Sequence, residues 1–230
     1  MVDVTEVVLV RHAQPDWEPD GRAVDHPALT PLGREQARRA AEVLAKEHFD
    51  HFYASPLRRV VETAEPIAET LGMAPRQVTW LEELHLPKME GKTVEEVEEF
   101  FGLARARDLE LHWNGMPGGE SFRHFYERVS SGVEDLLTAS HGMQVHQSSG
   151  HRIWRVPHVA ERVLIVAHEG TNAVILSHLL GIDPVPWASL RFSSGWAGIS
   201  RVHTIPVASG HIWALDSFNA RQHLDGIGDG

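Results

Sequence analysis

The chain has 230 residues and a formal net charge of −11 at pH 7, with 42% hydrophobic and 23% charged residues. These values are typical of a globular protein with a sizeable core, and they exclude a disordered or fibrous chain. The negative charge argues against general nucleic-acid binding, which needs a basic face. The absence of cysteine excludes disulfides, thiol catalysis and cysteine-ligated zinc.

The N-terminal segment predicts neither an export signal nor a membrane anchor. It carries acidic residues where a signal peptide needs basic ones, and its apolar run is too short to span a membrane. We therefore expect a cytoplasmic protein that does not bind membranes. An anionic substrate would need a local group of cations on such an acidic chain, so arginine and histidine clusters are of particular interest.

The first half of the chain alternates between short apolar strands and amphipathic helices, which predicts an α/β fold with a largely parallel sheet. A buried strand, "VVLV", runs directly into Arg11 and His12. Thr30 and Pro31 then begin a helix with one alanine-rich apolar stripe. The short strand "FDHFYAS" is followed by a helix that ends at Gly72.

The second half continues this alternation and then changes character. We predict a strand near "QVTWL", an acidic helix from about 93 to 101 and a long helix from about 121 to 137. A buried strand at 163–167 precedes His168, and two strands joined by a turn at 208–210 close the chain. The polar, histidine-rich segment 138–161 is either an exposed excursion or a small added hairpin. We expect a single domain over residues 1–230.

Two of the apolar strands end on a histidine, and a third is followed closely by an arginine. In open parallel sheets, ligands bind at the carboxyl ends of the strands, so "VLVRH" and "LIVAH" place His12 and His168 at one edge. Arg11 and Arg58 can reach the same edge. Guanidinium groups match phosphate oxygens bidentately, so such a cluster would suit a tetrahedral dianion.

Six blocks of the sequence resemble, in order, the motifs of the histidine phosphatase superfamily, whose members resemble cofactor-dependent phosphoglycerate mutase. The blocks cover parts of residues 5–137 and 162–217 and read "LVRHAQPDW", "ALTPLGREQA", "YASPLRRVVETA", "LEELHLPKMEGKT", "GGESFRHFYERV" and "VLIVAHEGTNAVI". This resemblance implies a three-layer α/β/α sandwich in one domain, with a mostly parallel central sheet.

The resemblance also implies a mechanism. His12 would be the nucleophile that forms a phosphohistidine, and Arg11, Arg58 and His168 would surround the oxygens of the transferring group. Gln14 and Glu169 would complete the phosphate-binding positions. No cofactor is implied, and no metal either, because two arginines and a protonated His168 would supply the charge that Mg²⁺ supplies elsewhere.

Glu83 matches the position of the family's proton donor, with the neighbouring Glu82 as its competitor. It would protonate the leaving alcohol and then deprotonate the attacking water. Pro87 replaces a family glycine in this loop and could alter its backbone. Ala13 replaces the glycine that usually follows the nucleophile, an exchange that is acceptable where its backbone amide still faces the phosphate.

These features predict a phosphatase that acts on small phosphorylated metabolites. A phosphoglycerate mutase is an alternative, although the segment after Glu83 is acidic where such mutases carry a basic cluster. A non-catalytic protein that binds a phosphorylated ligand is another. We expect the histidines of the polar segment to be solvated rather than to bind metal; they are His141, His146, His151 and His158. A homodimer is plausible.

Overall fold

The computed structural model describes residues 4–157 and 159–227, so His158 lies outside the described residues. The strands within these ranges are β1 (Glu6–Arg11), β2 (His51–Ala54), β3 (Arg76–Gln77), β4 (Gln144–Ser148), β5 (His151–Arg155), β6 (Arg162–Ala167), β7 (Ile199–Val207) and β8 (Gly210–Ala220). The helices are α1 (Pro31–Leu44), α2 (Arg58–Leu71), α3 (Val94–Arg105), α4 (Leu109–His112), α5 (Phe122–Asp135), α6 (Glu169–Leu179) and α7 (Ala188–Arg191).

The strands form one mixed sheet in the order β3-β2-β6-β1-β7-β8-β5-β4. The pairings from β3 to β1 are parallel, whereas those from β1 to β4 are antiparallel. The prediction of a mostly parallel sheet is therefore wrong. The reason is that β4–β5 and β7–β8 are hairpins, and a tight hairpin can join only antiparallel strands.

Helices cover both faces of the sheet, which gives the expected three layers. On one face, Val8 and Val10 of β1 pack with residues of α1 and α2. On the other face, Val7 and Leu9 pack in a core that includes α5 and α6. Strand alternation explains this division, because successive side chains point to opposite faces. The central strands are thus buried on both sides and hold their ends rigidly.

Several predicted elements are found at the expected places. Thr30 caps α1, since its side chain accepts the amide proton of Gly33, and Gly72 ends α2 with a left-handed φ of 63°. The strand predicted near "QVTWL" is present as β3, but it is shorter than expected and includes only Gln77 of that stretch, because residues 79–81 form a 3₁₀ turn. The histidine-rich segment contains a hairpin, β4–β5, which joins the sheet beside β8.

In the described part of the chain, no helix is long and apolar enough to cross a membrane.

Candidate active site

The carboxyl ends of β1 and β6 bring the two predicted histidines together. These strands pair in parallel, with Arg11 opposite Ala167, and the amide of His12 donates to the carbonyl of Ala167 over 2.9 Å. The ring centroids of His12 and His168 are 5.1 Å apart, and both side chains are buried. The structure therefore places the two histidines in one pocket at the sheet edge, as the strand pattern predicted.

The hydrogen bonds of His12 leave one nitrogen available as a nucleophile. Its Nδ1 lies 2.9 Å from the carbonyl oxygen of Ala13, so Nδ1 carries the proton and donates it there. Nε2 is then the nitrogen with the lone pair, and it accepts a hydrogen bond from Nε of Arg59 over 3.3 Å. When Nε2 forms a bond to phosphorus, Nε of Arg59 would donate its hydrogen bond to a phosphoryl oxygen instead.

The second arginine of the pocket is Arg59, and Arg58 does not reach it. The side chain of Arg58 is 61% exposed and pairs with Glu62 over 2.7 Å, whereas Arg59 is only 5% exposed. Neighbouring residues on a helix point about 100° apart, and Arg58 lies on the exposed side of α2. Arg59 lies four residues before the buried Thr63, on the apolar stripe of α2. The assignment of Arg58 is corrected to Arg59.

Arg11 is fixed from three sides. A nitrogen of its guanidinium donates to the carbonyl of Ser194 and lies 3.1 Å from a carboxylate oxygen of Glu169. The guanidinium also stacks on Trp196, 3.8 Å from the ring centroid. Glu169 was predicted as a substrate-binding residue, but a carboxylate repels phosphate. Its observed contact is the one that orients Arg11.

His168 is held by the serine that follows β2. Its Nε2 lies 2.9 Å from Oγ of Ser55, and Ser55 Oγ also accepts the amide proton of Leu57. The serine can therefore donate its own proton to Nε2, which leaves Nδ1 of His168 as the protonated nitrogen. Among the described residues, this buried Nδ1 and Nε of Arg11 have no hydrogen-bond partner. Both are available to an anion.

Glu83, rather than Glu82, faces the cluster. Oε2 of Glu83 accepts the amide proton of Gly170 over 2.9 Å, and Oε1 accepts that of Leu84 over 3.0 Å. A Cβ at position 170 would lie 2.5 Å from Oε1, so this approach requires glycine. The carboxylate of Glu82 instead contacts the half-exposed His85, over 2.8 Å. The amide of Gly170, in the first turn of α6, is thus occupied by Glu83.

A partly buried ion pair fixes the loop that carries Glu83. Arg128 of α5 pairs with Glu120 over 2.7 Å and donates to the backbone carbonyls of Trp80, Glu82 and Glu83. Sequence reasoning missed this role of Arg128. The amide of Glu120 also donates to the carbonyl of His85 over 2.7 Å. The backbone before Pro87 is thus held in place, and the proline does not remove Glu83 from the pocket.

The residues that follow His12 have a structural role. The amide of Ala13 donates to Thr63 Oγ1 over 3.0 Å, so this amide is already satisfied within the protein. The amide of Gln14 donates to Gln36, and its side-chain oxygen accepts a hydrogen bond from Thr30. Gln14 therefore ties the start of α1 to the end of β1. Its role in binding phosphate stays a prediction.

The electrostatics of the pocket oppose the usual ionisation of its residues. Burial lowers the pKa of His12 well below its usual range, and the charges of Arg59 and Arg11 lower it further. Burial also lowers the pKa of His168, aided by His12 and the same two arginines. The lowered pKa favours the neutral form of His168 before an anion binds. Burial raises the pKa of Glu83, although two backbone amides and the arginines act in the opposite direction.

A mixed α/β fold with this cationic pocket at a sheet edge is typical of proteins that bind phosphate groups. The model of the histidine phosphatase superfamily (branch 1) matches residues 7–207. The chain belongs to this superfamily.

Named relatives span nearly the same length. The chain is 32% identical over 230 residues to glucosyl-3-phosphoglycerate phosphatase of Mycolicibacterium vanbaalenii, covering 94% of this chain and 95% of the relative. It is 31% identical over 183 residues to phosphoserine phosphatase 1 of Hydrogenobacter thermophilus, covering 78% of each. A solved mycobacterial glucosyl-3-phosphoglycerate phosphatase in complex with VO3 aligns with a TM-score of 0.70 at 28% identity, over 94% of this chain and 100% of that one.

Proposed function

We propose that this protein hydrolyses small phosphate monoesters through a phosphohistidine at Nε2 of His12. The observation that carries the proposal is the arrangement around that atom. Nδ1 is tied to the carbonyl of Ala13, and a buried guanidinium touches Nε2. The buried carboxyl of Glu83 lies in the same pocket. The cations attract the phosphate, and the fixed tautomer presents a lone pair to phosphorus.

In the first step, Nε2 of His12 attacks phosphorus in line, and the bond from phosphorus to the ester oxygen breaks. Glu83 gives its proton to that oxygen, so the alcohol leaves neutral. Arg11, Arg59 and Nδ1–H of His168 stabilise the three equatorial oxygens, where negative charge accumulates. The raised pKa of Glu83 favours the protonated form that this step needs.

In the second step, the Glu83 carboxylate takes a proton from water, and the resulting hydroxide oxygen attacks phosphorus. The bond from phosphorus to Nε2 breaks, which returns neutral His12 and releases inorganic phosphate. Hydrolysis therefore restores both residues to their starting protonation states without another proton source.

The leaving group has a candidate site beside Glu83. A cavity of about 160 Å³ is lined by the residues that follow this acid, Leu84 to Pro87, and by apolar and basic side chains such as Phe101 and Arg105. The relatives named above are phosphatases of phosphoserine and of glucosyl-3-phosphoglycerate. Both compounds are phosphate monoesters that also carry a carboxylate, so they are the first substrates to test. A cytoplasmic location and a homodimer stay predictions.

The test is a panel of phosphate monoesters assayed for phosphate release, with acid-labile phosphate on the protein measured by rapid quench and mass spectrometry. Turnover with a phosphoenzyme that is absent in His12→Ala supports the proposal. Interconversion of phosphoglycerate isomers without net phosphate release would indicate a mutase. Binding of vanadate or phosphate with no turnover of any monoester would indicate a binding protein, and either of these results would overturn the proposal.

A further inference from the structure

Two histidines and a glutamate meet at the end of the sheet opposite the candidate active site. His51 begins β2, Glu161 immediately precedes β6, and His141 follows the last turn after α5. His12 and His168 follow the other ends of parallel strands, so a strand length separates the two places. Among the described residues, His51, His141 and Glu161 each offer one donor atom within 4.8 Å of the others.

We propose that His51, His141 and Glu161 bind a divalent transition-metal ion, with zinc as the best match. Imidazole nitrogens and one carboxylate oxygen are a donor set that Zn²⁺ takes, with a water molecule as the fourth ligand. The chain has no cysteine to compete for the ion.

The distances between donor atoms suit a zinc ion after a small adjustment. Bonds of about 2.0–2.1 Å in a tetrahedral site place neighbouring donors roughly 3.3 Å apart. Nε2 of His51 lies 3.5 Å from Oε1 of Glu161. Nδ1 of His141 lies 2.5 Å from Oε2 of the same carboxylate, as a hydrogen bond. An ion would replace the proton of that hydrogen bond and move the two atoms apart by less than about 1 Å.

A neighbouring tyrosine orients the buried histidine. Tyr53 lies two residues after His51, on the same face of β2, and its hydroxyl is 3.3 Å from Nε2 of His141. A ligating histidine commonly donates its other ring proton to such a partner, which fixes the tautomer. The His141 side chain is 1% exposed, whereas His51 is 37% and Glu161 27% exposed. The group is therefore rigid on one side and open to solvent on the other.

The burial of His141 contradicts the expectation that the histidines of this segment are solvated, which holds for His146 and His151. His141 precedes β4 and Glu161 follows β5, so the two residues flank the added hairpin. An ion bound to both of them and to His51 would join the base of the hairpin to the central sheet. We therefore expect metal binding to stabilise the hairpin and to leave phosphatase activity unchanged.

The test measures zinc binding by equilibrium dialysis and the visible absorption of a cobalt(II) substitute in the full chain. We expect one ion per chain in wild type and a loss of affinity of more than about 100-fold in His51→Gln and Glu161→Gln, beyond the range for residues that only orient a ligand. Tyr53→Phe should cost about tenfold or more. The matched control is His48→Gln, because His48 is 81% exposed and contacts Asp50 instead.

Proteolysis of the β4–β5 hairpin adds a readout that is independent of catalysis. Zinc should slow cleavage there in wild type and in His48→Gln, but not in His51→Gln. Both His51→Gln and Glu161→Gln change partly exposed side chains, and circular dichroism verifies that they fold. The proposal is overturned by wild-type protein that binds no zinc, or by His51→Gln and Glu161→Gln proteins that bind it as tightly as wild type. The second result would indicate adventitious binding to exposed histidines such as His146.

Discussion

Replacing each of two adjacent arginines separately tests the assignment of the phosphate-binding residues. Nε of Arg59 lies 3.3 Å from Nε2 of His12, so a phosphoryl group on that nitrogen would be within direct reach of the guanidinium. Removing one donor that stabilises transition-state charge costs about 2.7–4 kcal/mol, or roughly 10²–10³ in kcat. We expect Arg59→Met to lower kcat by this amount on any phosphate monoester that the enzyme hydrolyses.

Arg58→Met is the matched control, because it makes the same chemical change one residue away. Arg58 forms a surface ion pair with Glu62 at a spacing of four residues. Such pairs contribute about 0.3–0.5 kcal/mol to stability. We expect less than a twofold change in kcat and only a small change in the free energy of unfolding.

Thermal unfolding of the Arg58→Met and Arg59→Met variants tests the same assignment independently of activity. Burial lowers the pKa of Arg59 to about 10, which means that its charged form is disfavoured in the folded pocket. At neutral pH the guanidinium is charged in both the folded and the unfolded chain, so burying this charge destabilises the folded state. Arg59→Met should therefore keep or raise the Tm. Inorganic phosphate should raise the Tm of wild type and of Arg58→Met more than that of Arg59→Met.

A steady-state assay with p-nitrophenyl phosphate over a range of pH decides whether Arg58 or Arg59 binds the phosphate group. Arg59 lowers the pKa of His12, so its removal should move the acidic limb of the pH profile to higher pH. The reasoning is refuted if Arg58→Met loses activity to the same extent as Arg59→Met, or if Arg59→Met retains wild-type kcat with an unchanged acidic limb.

The remaining predictions concern the other groups of the pocket. His12→Ala should abolish the phosphoenzyme, whereas His168→Ala should slow turnover and still allow a phosphoenzyme to form. If rapid-quench experiments find that the phosphoenzyme requires His168 and not His12, the roles of the two histidines are reversed. Glu83→Gln should lower kcat by about 10² or more on alkyl phosphates and much less on p-nitrophenyl phosphate, whose leaving group needs no proton; equal losses on both would contradict the role of Glu83. Gly170→Ala should also lower kcat, because its Cβ would collide with the Glu83 carboxylate, and a crystal structure of the variant should show that carboxylate displaced. In wild type, kcat/KM should follow a bell whose acidic limb lies below about 6.5 and whose alkaline limb lies above about 4.3, since burial lowers the pKa of His12 and raises that of Glu83. Dialysis against a chelator should leave kcat unchanged, and a loss restored by a divalent ion would contradict a metal-free reaction.

The parts of the fold that depend on local patterns could be predicted from the sequence. The cap at Thr30 and the stop at Gly72 rest on the chemistry of single residues, and both were found. The parallel half of the sheet followed from alternating strands and helices. The turn of the β7–β8 hairpin also had a local signal. The order β1-β7-β8-β5-β4 could not be predicted, because strand order depends on long-range packing that no local pattern specifies.

The error at Arg58 has a physical cause that the sequence could have revealed. The motif shows that an arginine follows β2, but it does not show which face of α2 that arginine occupies. The helical period does, since Arg59, Thr63 and Ile67 recur every four residues on the buried side. The hydrogen bonds from Arg128 to the backbone around Glu83 had no signal in the local sequence, because they join residues 45 or more positions apart.

The two arginines of the pocket differ in how their charge is balanced, and this difference indicates what the pocket binds. Arg11 has a carboxylate partner in Glu169 over 3.1 Å, which offsets part of the cost of burying its charge before any ligand arrives. Arg59 contacts an imidazole and lies 4.9 Å from the ring centroid of Trp17, and among the described residues it has no carboxylate within ion-pair distance. A buried cation without a counter-ion is costly, and the cost is recovered when an anion binds. A phosphate dianion that reaches Nε2 of His12 would supply that counter-ion, and its second charge would favour protonation of the neutral His168 beside it. Binding of the substrate would thus create the third cation that stabilises the transferring group.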